Sequence, residues 1–166
     1  MPNWCENNIT INGPVETIEK LWNTATADDG SGQNLEIGLL EAMAPIGEWD
    51  YKTAISNWGT KWNISSEGLE FTINGDGTAK ISGWFDSAWS PPVGAYNTFL
   101  KNNDSVSIEA SYWEPGMGFG GIYTNGDDDY LEDASEQYEL AEEDRSVLYN
   151  LLDDEFNLSE QYREME

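Results

Sequence analysis

The sequence predicts an α+β fold: an antiparallel sheet packed by two helices, with an acidic, partly helical segment appended at the C-terminal end. Three observations predict it. Apolar residues alternate with polar ones over residues 5–12, 69–73, 79–85 and 106–112, the period of half-buried strands. Two stretches with helical spacing, residues 14–26 and 90–100, separate those runs. Asn74-Gly75-Asp76-Gly77 lies between two alternating runs and marks a tight hairpin. The expected division is a domain over residues 1–126 and an extension over 127–166.

Taken in order, Ile9 and Ile11 alternate with Asn8, Thr10 and Asn12, and Gly13-Pro14 ends that first strand. Pro14 is suited to a first helical position, and Val15, Ile18, Leu21, Trp22 and Ala25 follow at helical spacing. Residues 27–34, ADDGSGQN, read as a loop. Leu35, Leu39, Leu40 and Met43 suggest a short helical turn before Pro45, and residues 49–58 suggest a strand leading to Trp58. The hairpin over residues 69–85 follows. Ser90 then reads as an N-cap with Pro91 in the first helical position, and Val93, Tyr96, Phe99 and Leu100 form the buried face. Val106, Ile108, Ala110 and Tyr112 give another strand, Glu114-Pro115-Gly116 a turn, and residues 117–123 a glycine-rich last strand. Apart from that last strand, the order matches the split βαβ plan of ferredoxin-like folds.

Composition excludes several functions. Acidic residues number 32 against 7 basic ones, a net charge of −25, so direct binding of nucleic acid or of an anionic membrane is disfavoured. A cation or a basic protein surface is the fitting partner. The chain has no His, which removes Ser/His/Asp triads, Cys/His dyads and His-ligated zinc. The single Cys5 permits no intrachain disulfide or Cys-rich metal site, and reads as buried packing. No apolar run approaches the ~20 residues of a membrane span and no signal peptide is visible, so a cytoplasmic location in a bacterial cell is expected.

Four motifs, residues 1–8, 57–63, 88–92 and 112–116 with Phe119 and Gly121, occur in that order, and together they resemble those of the YubB ferredoxin-like proteins of phages and plasmids. Met1-Pro2-Asn3-Trp4-Cys5-Glu6-Asn7-Asn8 looks like the family's opening, and Asn57-Trp58-Gly59-Thr60-Lys61-Trp62-Asn63 like its central motif. Ala88-Trp89-Ser90-Pro91-Pro92 resembles the start of its second helix. Tyr112-Trp113-Glu114-Pro115-Gly116, with Phe119 and Gly121, resembles its late motif. The resemblance spans about residues 1–123. It implies a ferredoxin-like α/β sandwich and a mobile-element origin, and it carries over no catalytic residue. The acidic tail lies outside it.

Charge is concentrated in that tail. Residues 127–166 hold 16 acidic and 2 basic residues, and the 126 before them hold the other 16 acidic residues and 5 Lys. The tail also contains many hydrophobics. Val147, Leu148, Leu151 and Leu152 form a helical stripe behind Glu142, Glu143 and Asp144, which predicts a helix over residues 141–155. Asp129, Glu132, Glu136, Glu139 and Glu143 are spaced 3, 4, 3 and 4, so a helix there would carry carboxylates down one face; a strand is the alternative.

Two candidate partner sites follow. The first is an acidic face of Asp127, Asp128, Asp129, Glu132, Glu136, Glu139 and Glu143, imitating a phosphate backbone towards a basic, nucleic-acid-binding host defence or restriction protein. The second is an aromatic face of Trp58, Lys61, Trp62, Trp89 and Trp113, with Trp84 beside them, that takes a ligand or peptide. Lys61 between two tryptophans is placed for a cation–π contact. Asp127-Asp128-Asp129 lacks the calcium-loop pattern, and Gly116–Gly121 lacks the Lys-Ser/Thr of a phosphate loop. Sheet glycines that let aromatic rings approach explain the latter better. Asp86 and Glu114 are the one carboxylate pair that could serve a hydrolase. The expectation is a non-enzymatic protein with no cofactor and no metal.

Overall fold

The computed structural model describes residues 2–166. Six strands form one sheet: β1 (Trp4–Pro14), β2 (Leu69–Ile73), β3 (Thr78–Ala88), β4 (Ser107–Glu114), β5 (Phe119–Thr124) and β6 (Asp127–Leu131). Their order is β2-β3-β1-β4-β5-β6, and every neighbouring pair is antiparallel. Strands β1 and β2 therefore run parallel with β3 between them, a split βαβ arrangement. Four helices precede or interrupt this core: α1 (Val15–Thr26), α2 (Leu39–Met43), α3 (Tyr51–Trp58) and α4 (Val93–Asn102). Three follow it: α5 (Ala134–Tyr138), α6 (Val147–Phe156) and α7 (Leu158–Glu164).

Alternation along the strands sorts side chains onto two faces. Ile9, Ile11, Ile81, Phe85, Ile108, Ala110 and Tyr123 point to the first face. There they meet Ile18 and Leu21 of α1, Leu39 and Leu40 of α2, Trp58 of α3, and Tyr96 and Phe99 of α4. The second face carries a smaller core. Trp113, Ile122 and Leu131 pack under Ala134, Tyr149, Leu152, Phe156 and Leu158 of the C-terminal helices. Those helices cover only the β4-β5-β6 half of the face.

Four expectations need correction. Within the strand expected over residues 49–58, Tyr51–Trp58 is instead helix α3, with Asp50 as its N-cap. The Asp50 carboxylate accepts from Thr53 N–H at 3.0 Å, and Gly59 closes the helix at φ 86°. Helix α4 starts at Val93, because Ser90 is used elsewhere: its hydroxyl donates to the Gly59 carbonyl at 2.5 Å. The sheet also continues past the expected boundary at 126. Asn125 and Gly126, both at positive φ, make a two-residue hairpin turn into β6. Finally, the C-terminal helix begins at Val147, where the Ser146 hydroxyl accepts from Tyr149 N–H at 3.1 Å; Glu142–Asp144 is a single 3₁₀ turn.

Candidate functional site

The uncovered half of the second face, over β1 and β3, is the floor of a groove of about 830 Å³. Register explains its composition. Trp4 lies opposite Ala88, Glu6 opposite Asp86, and Asn8 opposite Trp84. Alternation puts Trp4, Glu6, Trp84 and Asp86 on this face together. Residues 62–68, between α3 and β2, make one wall and supply Trp62 and Glu67. The end of α6 makes the other with Glu155 and Phe156.

Three indoles stand partly open in this groove: Trp4, Trp62 and Trp84 expose 43%, 39% and 47% of their surface. Trp4 and Trp62 lean together with centroids 6.0 Å apart, and Trp84 meets Phe156 edge-on at 5.7 Å. The Lys61 ammonium sits 4.6 Å from the Trp62 ring centroid. Four carboxylates surround the indoles: Glu6, Glu67, Asp86 and Glu155. Glu155 accepts from Asn8 Nδ2 at 2.7 Å. None of the four is ion-paired among the described residues, where the one ion pair is Arg163 with Glu160. Partial burial, and then the charge of Asp86 opposite, hold the Glu6 carboxyl above its ordinary range.

This arrangement divides the expected aromatic face. Trp58 is buried in the first core and donates its indole N–H to the Ala44 carbonyl at 2.8 Å. Trp113 is buried in the second core, donating to Gln161 at 3.2 Å. Trp62 and Trp84 line the groove, and Lys61 stands over the Trp62 ring. Trp89 is exposed and held at φ 73°, a costly conformation for a bulky residue, by its N–H bond to the Asn3 carbonyl at 2.8 Å. Trp4, Glu6, Glu155 and Phe156 escaped sequence reasoning. The parity of β1 placed Trp4 and Glu6 on one face, but only the β1–β3 register sets Asp86 and Trp84 beside them.

The expected acidic face is also redistributed. Asp127, Asp128 and Asp129 lie on edge strand β6, Glu136 on α5, Glu143 in the 3₁₀ turn, and Glu132 and Glu139 in the connections. They do not share one helix face. Asp128 points to the opposite side of the sheet from Asp127 and Asp129 and accepts from the Tyr112 hydroxyl at 2.8 Å. Burial, with Asp127 and Asp129 alongside, pushes its carboxyl up, while the Tyr112 bond pulls it down. The other six are exposed. Acids on an edge strand also discourage pairing with a foreign strand.

Asp86 and Glu114 do not form a catalytic pair. They point to opposite faces, and Glu114 is buried, accepting from the N–H groups of Gly116 at 2.5 Å and Met117 at 3.0 Å. It closes the turn. Burial drives the Cys5 thiol far above its ordinary range, which leaves it a packing residue. Gly120 lies against Trp113 and Leu152, and Gly121 against Tyr112, so these glycines make room for rings. No cluster of three or more His, Cys, Asp and Glu suited to a metal ion occurs among the described residues, and no helix is long and apolar enough to cross a membrane.

No family model matches the sequence, and no curated protein does. Among solved structures, the crystal structure of a protein api92 from Yersinia pseudotuberculosis, with the family model DUF1281, aligns over 80% of this chain and 98% of its own. The identity is 11% and the TM-score 0.47. At that likeness neither family nor function follows.

Proposed function

We propose that the protein is a non-enzymatic binding module that takes a basic segment of a protein partner in the groove over β1 and β3. One observation carries the reading: three half-open indoles and four carboxylates line one groove, with no ion pair between these acids and any described cation. Indoles bind cations on their faces, and carboxylates supply the complementary charge. The net charge of −25 would steer a basic partner inward and make association sensitive to salt. On this reading the chain is a ferredoxin-like frame with an acidic C-terminal addition. Its motifs suggest a phage or plasmid accessory protein acting in the bacterial cytoplasm against a basic, nucleic-acid-binding defence or restriction factor.

A second reading is a nucleic-acid mimic. It draws on the exposure of Asp127, Asp129, Glu132, Glu136, Glu139 and Glu143. The two readings separate in one experiment. Bacterial lysate is passed over the full chain, a Glu6→Gln/Asp86→Asn variant, and a Glu132→Gln/Glu136→Gln/Glu139→Gln/Glu143→Gln variant. A partner lost by the groove variant and kept by the tail variant supports the groove. The opposite pattern supports the mimic. Partners indifferent to both sets of substitutions sink the two readings together.

A further inference from the structure

Glu6 and Asp86 are difficult to explain by folding. They are directly opposed across β1 and β3 on one face, both are exposed, and neither is ion-paired among the described residues. Directly opposed residues of an antiparallel pair hold their Cβ atoms about 4.5–5.5 Å apart, and like charges there destabilise the sheet. Glutamine and asparagine would preserve every backbone bond of the ladder without that repulsion. The indoles pose the same question. Trp4 and Trp84 occur on the same face as the two carboxylates, Trp62 leans in from the wall, and all three keep much of their apolar surface in water.

A single ligand group resolves both costs. It must be cationic, able to serve two carboxylates at once, and flat enough to lie on an indole. We infer that the groove receives an arginine side chain of a protein partner, its guanidinium spanning Glu6 and Asp86 and its plane against the tryptophans. This deepens the proposed function and rests on it. Guanidinium has five N–H donors in a rigid fork, stacks on aromatic faces and is more weakly hydrated than an ammonium. A lysine ammonium can bridge two carboxylates, but it is more strongly hydrated, lacks the rigid fork and has no plane to lay on an indole. The chain's own Lys61 already sits over Trp62, while the faces of Trp4 and Trp84 have no cation of this chain against them among the described residues. The carboxylates of Glu67 and Glu155 on the two walls add to the field that favours a cation.

The test uses the full chain and three fluorescein-labelled, end-blocked peptides read by anisotropy: triarginine, trilysine and tricitrulline. Triarginine should bind saturably, trilysine about tenfold more weakly, and tricitrulline not measurably. Citrulline keeps the planar shape and loses the charge. Glu6→Gln/Asp86→Asn should bring triarginine down to the trilysine level. Glu132→Gln/Glu136→Gln should leave the preference in place. Trp84→Ala is the second variant, and it should also abolish the preference, so the test stands if the first fails to fold. Equal binding of triarginine and trilysine overturns the inference, as does an arginine preference that survives the groove substitutions. If lysate capture still finds a groove-dependent partner in that case, the binding-module reading stands and only the arginine assignment falls.

Discussion

Leu152→Ala tests whether the C-terminal helices are structurally part of the sheet. Leu152 is fully buried in the second core, in the cluster that includes Trp113, Tyr149 and Phe156. Its Cδ1 packs against the bare backbone of Gly120, 3.3 Å from where a Cβ on that glycine would stand. Truncating a leucine so enclosed removes its transfer free energy and leaves a cavity that the glycine on β5 cannot fill, a loss of about 2–5 kcal/mol. For a chain of this size that lowers the melting temperature by roughly 5–15 °C. Leu151, its exposed neighbour on α6, serves as control, and Leu151→Ala should shift stability by no more than ~0.5 kcal/mol. Thermal unfolding is followed by far-UV and near-UV circular dichroism, with calorimetry as the test for one transition. If the helices and sheet form one cooperative body, both signals move together in Leu152→Ala. Separate transitions, with sheet melting unchanged while helicity is lost early, would refute the reasoning.

Gly120→Ala should destabilise by about 1–3 kcal/mol in urea titrations, since its Cβ would stand 2.7 Å from the Tyr112 carbonyl and 3.0 Å from the Trp113 ring; a neutral result would mean β4 and β5 can separate. Asp50→Ala should lower the urea midpoint and weaken amide protection at the start of α3, because the carboxylate accepts from both the N–H and the hydroxyl of Thr53 there; unchanged protection would show that the cap is not used. The pH dependence follows from groups with raised folded values. Glu6, raised by burial and Asp86, and Asp128, raised by burial, contribute stability that is fully present below their ordinary 4.5 and 3.8 and is lost as pH rises through the raised values. The urea midpoint should therefore fall as pH rises from 4.5 towards neutrality, and a midpoint that rises with pH over that range contradicts the assignment. Asp29, Asp50 and Asp76 carry lowered values from hydrogen bonds, so their contribution disappears only below 3.8, as pH falls through them.

The legible parts of the fold were those where side-chain period and turn chemistry agree. Ile9 and Ile11, the spacing of α1, and the hairpin around Asn74–Gly77 each present one period and one stop signal. Residues 49–58 were misread because Trp49, Tyr51 and Ile55 are exposed, so the apolar pattern carried no information about burial. The stronger signal lay in Asp50 three residues before Thr53 and in Gly59 after the last turn. Strand β6 was legible only as the alternative reading of the segment from Asp129, for the opposite reason. Three consecutive aspartates do not look like a strand, yet Asn125-Gly126 is a strong hairpin signal, and the Asn125 side chain accepts from Ile108 N–H at 2.7 Å to fix the turn. The groove was the least legible feature. Its floor depends on register between β1 and β3, and its far wall comes from residues 147 positions away from Asn8 in sequence.

That wall changes how the acidic segment should be tested. Removing residues 127–166 as a unit looks like a clean deletion of charge, but it is not. It takes away β6, which hydrogen-bonds along β5 from Gly120 to Thr124. It uncovers Trp113 and Ile122, whose packing partners on α5, α6 and α7 all lie within the deleted segment. It removes Phe156 from Trp84 and Glu155 from Asn8, so one side of the groove goes with the tail. A partner lost on truncation therefore distinguishes neither the groove from the exposed acids nor binding from folding. Substitutions that keep the backbone do distinguish them: Glu6 and Asp86 on the floor, and Glu132, Glu136, Glu139 and Glu143 on the outside, change charge at separate places while leaving both cores intact. If the groove set and the outer set weaken association equally, and salt weakens it equally in both, overall charge governs the interaction and neither surface is a site.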